Sequence, residues 1–181
     1  MSRHDWLAGG ARDELAVERI YAAAAELIFR DGFDGFNVDA LAERVHCSRA
    51  TVYRHVGGKS AIREAVTDRA ATRIVDTVRR AVNGRSGADR VVTAITVAVA
   101  EIRADPAAQL FLDSVRGARG TTWLTASPAV AALATELAGL ADDPAGSQWI
   151  IRLVLSLLFW PGDDERAEHE LLQRFVAPAF G

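Results

Sequence analysis

Apolar residues along this chain recur at steps of three and four. Val17, Ile20, Tyr21, Ala24, Leu27 and Ile28 fall on one side of a helical wheel. Asp31 and Gly32 close that segment, with glycine in the usual stop position. Phe33 and Phe36 then sit in a short link, placed to plug a small core. Asn37 is a good N-cap for a helix that turns Val38, Leu41, Ala42 and Val45 inward. Ser48 is a second cap, with Val52 and Val56 as the inward positions after it, and Gly57-Gly58 breaks the chain again. A long helix is expected from about Lys59 to Val82, with Ile62, Val66, Ile74 and Val78 facing its core.

The remainder reads as helix after helix. VVTAITVAV at 91–99 is rich in β-branched residues, but its helical flanks make it a buried helix rather than a strand. Asparagine and glycine break the chain at 83–87. Asp105-Pro106, Ser127-Pro128 and Asp143-Pro144 each pair an N-cap with proline in the first turn, and 117–120 and Pro161-Gly162 are stops. Asp163 or Asp164 caps the last helix. The expected fold is all-α, about nine helices, with a helix-turn-helix head at 13–58 and a helical regulatory and dimerisation body at 59–181.

Composition changes this picture little. The chain has 181 residues, half of them hydrophobic and a quarter charged, enough for a proper core. One cysteine, Cys47, excludes an internal disulfide, and the start has no apolar signal-peptide core. The longest apolar run, 153–160, is too short to span a membrane. A cytoplasmic protein without a membrane partner is expected. The net charge of −3 is unlike a nucleic-acid binder, yet positions 44–63 carry Arg44, Arg49, Arg54, Lys59 and Arg63 with no acid among them. Phosphate contact needs local charge, not an overall excess.

Three of those cations, Arg44, Arg49 and Arg54, sit on the most informative stretch. Positions 37–55 read helix, tight turn at His46-Cys47-Ser48, helix, and the second helix of such a unit enters the DNA major groove. Its outward residues are Arg49, Ala50, Thr51, Tyr53, Arg54 and His55. Arginine makes bidentate contacts to guanine edges, and a small Ala50 permits approach to a thymine methyl. Thr51, Tyr53, His55 and Lys59 are donors suited to phosphate oxygens. Arg49 is the first candidate for base reading, the alternative being a solvated arginine. Arg54 is divided between base and phosphate, and Tyr53 between phosphate and packing. Arg44 reads as an ion-pair residue or an outer phosphate contact, and Cys47 as a small apolar filler of the turn.

The segment GFDGFNVDALAERVHCSRATVYRHVGGKSAIREAV, 32–66, resembles the tetracycline-repressor (TetR) family. The matching positions are Gly32-Phe33, Ala42-Glu43-Arg44, Ser48, Thr51-Val52-Tyr53, His55 and Lys59. The resemblance implies DNA contacts from Asn37, Val38, Ser48, Arg49, Ala50, Thr51, Tyr53, Arg54, His55 and Lys59. It also implies a repressor that dimerises through its last two helices and binds a small ligand inside its body. His46 stands where the family usually has a turn glycine; a position with positive φ tolerates histidine better than most residues. Asn37 replaces the usual Ser or Thr cap, and Val56 replaces an aromatic residue.

The body yields weaker candidates. Large or polar residues at Phe111, Asp113, Arg116, Trp123 and Trp149 are candidates for the walls of a pocket for a small apolar or amphipathic ligand, the alternative being ordinary core. Ile151, Leu155, Leu158, Leu171, Leu172 and Phe175 are candidates for a homodimer interface, since the eighth helix is apolar on more than one face. The DNA partner expected is a double-stranded, roughly palindromic operator. No cofactor is implied. The four histidines at 4, 46, 55 and 169 lack metal-ligand spacing, and Gly58-Lys59-Ser60 lacks the upstream glycine of a phosphate loop, Tyr53 standing there. No catalytic constellation is present, so an enzyme is disfavoured. The competing reading is a helical protein-interaction module without DNA binding.

Overall fold

The computed structural model describes residues 6–116, 125–140 and 143–181. Among them there are nine α-helices and no strands. They are α1 (Trp6–Gly35), α2 (Val38–Arg44), α3 (Arg49–Val56), α4 (Lys59–Ala81), α5 (Gly87–Ala104), α6 (Pro106–Val115), α7 (Pro128–Ala138), α8 (Pro144–Phe159) and α9 (Glu165–Leu171). The chain continues from α9 through a π-helical turn at Leu172–Val176 and a 3₁₀ turn at Ala177–Ala179. The all-α expectation holds. The expected stop at 117–120, and the pocket candidate Trp123, lie outside the described residues.

Caps fix most helix starts where the sequence signals them. Asn37 Oδ1 accepts from the Asp39 N–H at 2.8 Å, and Ser48 Oγ accepts from the Thr51 N–H at 3.1 Å. Asp105 accepts from the N–H groups of Ala107 and Ala108, Ser127 from Val130, Asp143 from Gly146 and Asp164 from Ala167. Pro106, Pro128 and Pro144 open their helices, where a missing N–H costs nothing. α1 kinks at Gly32, whose φ of +72° suits glycine, and one further turn delivers Phe33 and Phe36 to the interior.

The chain divides into two compact units between Ala70 and Ala71, inside α4. The boundary expected from the sequence, after Gly58, falls at the start of α4. The first half of α4 belongs with α1: Arg63 lies over the Phe33 ring, Arg69 over Tyr21, and Arg69 pairs with Glu18 at 2.6 Å. Ile20, Ala24, Leu27 and Ile28 of α1, Val38, Leu41 and Ala42 of α2, Val52 and Val56 of α3 and Ile62 and Val66 of α4 are all buried. These are the positions the periodicity selects.

In the C-terminal unit, Val91, Val92, Ile95 and Val99 of α5 form a core with Ala138, Ile150, Leu157, Leu172 and Val176. Ile74, Val78 and Val82 gather round Ala94 on another side of α5. The β-branched stretch 91–99 is therefore a central helix, buried on two sides.

Candidate nucleic-acid interface

α2 and α3 are joined by four residues whose geometry sets the angle between them. The His46 N–H donates to Glu43 O at 3.1 Å and the Cys47 N–H to Ala42 O at 3.0 Å. This paired closure of a helix end puts the first donor residue in the left-handed region. His46 is that residue, at φ +54°, the one non-glycine residue of positive φ among those described. The sequence expectation for this position is met. Ser48 then starts α3, doubly tied to Thr51 through the Thr51 N–H and through its hydroxyl at 2.9 Å.

α3 buries Val52 and Val56 and turns its other side to solvent. Arg49, Ala50, Tyr53 and Arg54 are exposed, and Thr51 and His55 are half-buried. Tyr53 is 42% exposed, with the Arg49 guanidinium over its ring. Asn37 is exposed at the start of α2, while Val38 beside it is buried, which gives Val38 a packing role. Gly57, at φ +77°, ends α3 by returning its N–H to Tyr53 O at 3.1 Å.

Three cations around α3 already have intramolecular partners. Arg49 Nη1 lies 3.2 Å from the Asp39 carboxylate, its Nη2 donates to the Tyr53 hydroxyl at 3.4 Å, and its guanidinium lies 5.4 Å from the Tyr53 ring centroid. The hydrogen bond to Tyr53, then the charge of Asp39, hold the Arg49 pKa above the ordinary arginine value. Lys59 Nζ donates to Asp34 O at 2.9 Å, closing the last turn of α1. Arg44 pairs with Glu26 of α1, the ion-pair role expected for it. Sequence spacing does not reveal Asp39 or Asp34, because each contact crosses between elements.

The body candidates separate. Arg116 lies over the Phe159 ring at 5.3 Å and 3.7 Å from Asp113, both side chains being mostly exposed. Trp149 stacks on Phe180 with centroids 5.9 Å apart. Trp149 and Phe159 are ten residues apart on α8, about 15 Å along its axis at ~1.5 Å per residue. The structure therefore does not bring Trp149 to Arg116 as one wall. Phe111 is half-buried on α6, and Trp123 is outside the described residues.

The dimer candidates also divide. Leu172 and Ile151 are buried inside their own protomer, at 2% and 6% exposure, and Leu158 packs against the core that holds Leu172. Leu155 is half-buried. Leu171 and Phe175 are exposed at 48% and 61%, with Trp149 and Trp160 as further exposed aromatics that the sequence reading did not place there. Among the described residues, no helix is long and apolar enough to cross a membrane, and no His, Cys, Asp and Glu side chains cluster as metal ligands.

Comparison with known proteins bears on this geometry. Residues 20–66 match the family described as bacterial regulatory proteins, tetR family, which spans α2, α3 and their flanks. An uncharacterized HTH-type transcriptional regulator of Mycobacterium tuberculosis (strain ATCC 25618 / H37Rv) is 30% identical over 185 residues, covering 98% of this chain and 91% of the relative. The crystal structure of a TetR-like transcriptional regulator from Rhodococcus sp. RHA1 is similar in fold, with a TM-score of 0.58 and 16% identity over 87% of this chain and 91% of that one. The TetR family repressor AlkX from Dietzia sp. strain DQ12-45-1b gives 0.55 and 16% over 88% and 92%. The helix-turn-helix and the nearly full-length likeness agree: this chain belongs to the tetR family of bacterial regulatory proteins and is a DNA-binding transcriptional regulator.

Proposed function

We propose that the chain is a repressor that binds a roughly palindromic operator as a homodimer, with α3 of each protomer in the major groove. The observation that carries this is the surface of α3. A helix anchored by Ser48 and by buried Val52 and Val56 presents Arg49, Ala50, Tyr53 and Arg54 to solvent. In this reading Arg49 reads a guanine edge and Ala50 a thymine methyl, while Arg54 serves base or phosphate. Asn37, the Val38 backbone, Ser48, Thr51, Tyr53, His55 and Lys59 contact the phosphate backbone. Lys59 has three N–H donors, and its bond to Asp34 uses one.

A homodimer is supported by the four large exposed apolar residues on or beside the last two helices, Trp149, Trp160, Leu171 and Phe175. Two such heads read half-sites about one helical turn, ~34–36 Å, apart. A small apolar or amphipathic ligand held in the helical body completes the proposed cycle by releasing the DNA, which requires that it bind the two states unequally.

Selection of bound duplexes from a random pool tests the proposal. The expected product is a palindrome, bound with a steep salt dependence. Arg49→Ala is expected to weaken the selected duplex by about 1–3 kcal/mol and relax preference at one base position, and Tyr53→Ala to weaken all sequences alike. A chain that enriches no sequence and binds no duplex at low salt is a protein-interaction module instead.

A further inference from the structure

Asp39 is a carboxylate beside a surface expected to meet phosphates. With Glu43 and His46 it lines an open recess between α2 and α3 that Arg49 borders. Asp39 is not needed to neutralise a buried charge: its side chain is 55% exposed and that of Arg49 is 59% exposed. What it does is local. Both carboxylate oxygens lie 3.2 Å from Arg49 Nη1, while Tyr53 takes Nη2 from the far side. The Asp39 backbone is held at the start of α2, where its N–H donates to Asn37 Oδ1.

We propose that Asp39 is a specificity-determining positioning residue that acts through Arg49. A guanidinium has five N–H donors, and these two contacts engage only part of them. The remaining donors stay available to neutral acceptors such as guanine O6 and N7. The adjoining carboxylate cancels most of the net charge that attracts any phosphate, and its own charge repels one. Arg49 so paired gains little from backbone of arbitrary sequence and keeps its directional bonds to a base edge. Asp39 thereby lowers non-specific affinity more than operator affinity. The inference rests on the DNA-binding reading of α3 and adds to it a residue that touches no DNA.

The test is a double-mutant cycle of Asp39→Asn and Arg49→Ala, read by titration against the selected operator and a random duplex across a salt series. Asparagine keeps the shape of Asp39 and removes its charge at an exposed position. The random duplex is expected to bind Asp39→Asn up to about eightfold more tightly near ~0.1 M salt, with a log–log salt slope steeper by about 0.9, the value for one further effective phosphate contact. The operator gains less, so the operator-to-random ratio falls by about threefold or more. In the Arg49→Ala background the gain shrinks by at least half. An unchanged or raised ratio overturns the proposal, as does an undiminished gain without Arg49, which makes Asp39 a bulk charge only. A wild-type chain that binds no duplex overturns the DNA reading and this inference together; a binding wild type with an unaltered Asp39→Asn ratio overturns this inference alone.

Discussion

Arg103 of α5 and Glu168 of α9 form a bidentate pair, with Nη1 2.8 Å from one carboxylate oxygen and Nη2 2.7 Å from the other. Arg103 Nη2 also donates to Leu157 O at 2.8 Å, and Glu168 Oε1 accepts from the Gly162 N–H at 2.8 Å. One pair thus ties α5, the end of α8, the following link and α9. Glu168 is buried, whereas the Arg103 side chain is 31% exposed. The hydrogen bond from Arg103 outweighs the opposing effect of burial and holds the Glu168 carboxyl below the ordinary value of 4.5.

Glu168→Ala is accordingly expected to destabilise the C-terminal unit by about 2–3 kcal/mol, below the full cost of a stranded buried charge because Arg103 retains some water. The pH dependence follows from the lowered pKa. A carboxyl whose pKa is depressed on folding stabilises fully above its unfolded value, and that contribution is lost as the pH falls through the folded value. Urea midpoints of the wild type should fall on acidification below pH 4.5. Glu168→Gln should show a flatter acid limb, and an identical limb excludes this pair as its source.

His46 gives a prediction of opposite sign. A side chain in the left-handed region costs about 1–2 kcal/mol, and histidine at φ +54° bears that cost. His46→Gly is expected to stabilise the head by up to about 1 kcal/mol, the flexibility glycine adds to the unfolded chain offsetting part of the gain. His46→Val, β-branched, should destabilise it by about 1–2 kcal/mol. Urea unfolding of the three chains side by side checks the order, and a valine variant as stable as the glycine variant contradicts it.

The helix starts, in the head and in the body, were legible because their signals are local. Asn37, Ser48, Asp105, Ser127, Asp143 and Asp164 each cap a backbone N–H within three residues, and periodicity alone marks Val52, Val56, Ile62 and Val66 as inward. The left-handed turn at His46 was legible through the glycine it replaces. Contacts between elements were not. Arg49 meets Asp39 across a turn, Lys59 meets Asp34 twenty-five positions away, and Arg103 meets Glu168 sixty-five positions away. No helical spacing encodes these. In the body, periodicity identified apolar faces without saying which face its own core consumes, so Leu172 and Leu171 looked alike.

Ser48 separates capping from charge. Ser48→Ala removes the acceptor for the Thr51 N–H and is expected to cost about 1 kcal/mol of head stability. Ser48→Asp keeps an excellent N-cap, so stability should stay near wild type. It also adds a negative charge at the foot of α3, which should weaken random-duplex binding by up to about eightfold near ~0.1 M salt and flatten the salt slope by about 0.9. Thermal melts and duplex titrations on both variants give four numbers. Loss of DNA affinity in Ser48→Asp without loss of stability places position 48 against the phosphate backbone, whereas unchanged affinity moves it away.

Leu171 and Leu172 are neighbours with opposite environments, 48% and 2% exposed. Leu172 joins Val91, Val92, Ile95 and Val99 in the protomer core, so Leu172→Ala is expected to cost about 2–5 kcal/mol of stability. Leu171 and Phe175 lie one turn apart and outward, and Arg174 lies over the Phe175 ring, 5.2 Å from its centroid. Phe175→Glu together with Leu171→Glu should leave the fold of the protomer intact, because neither side chain is buried in it. In a homodimer built on this face the pair sets two carboxylates against an apolar partner surface, an unpaired burial that costs several kcal/mol per dimer. Sedimentation at micromolar concentration is expected to show a dimer for the wild type and a monomer for the double variant, with operator affinity falling toward that of one half-site. A double variant that still sediments as a dimer places the interface elsewhere on the chain.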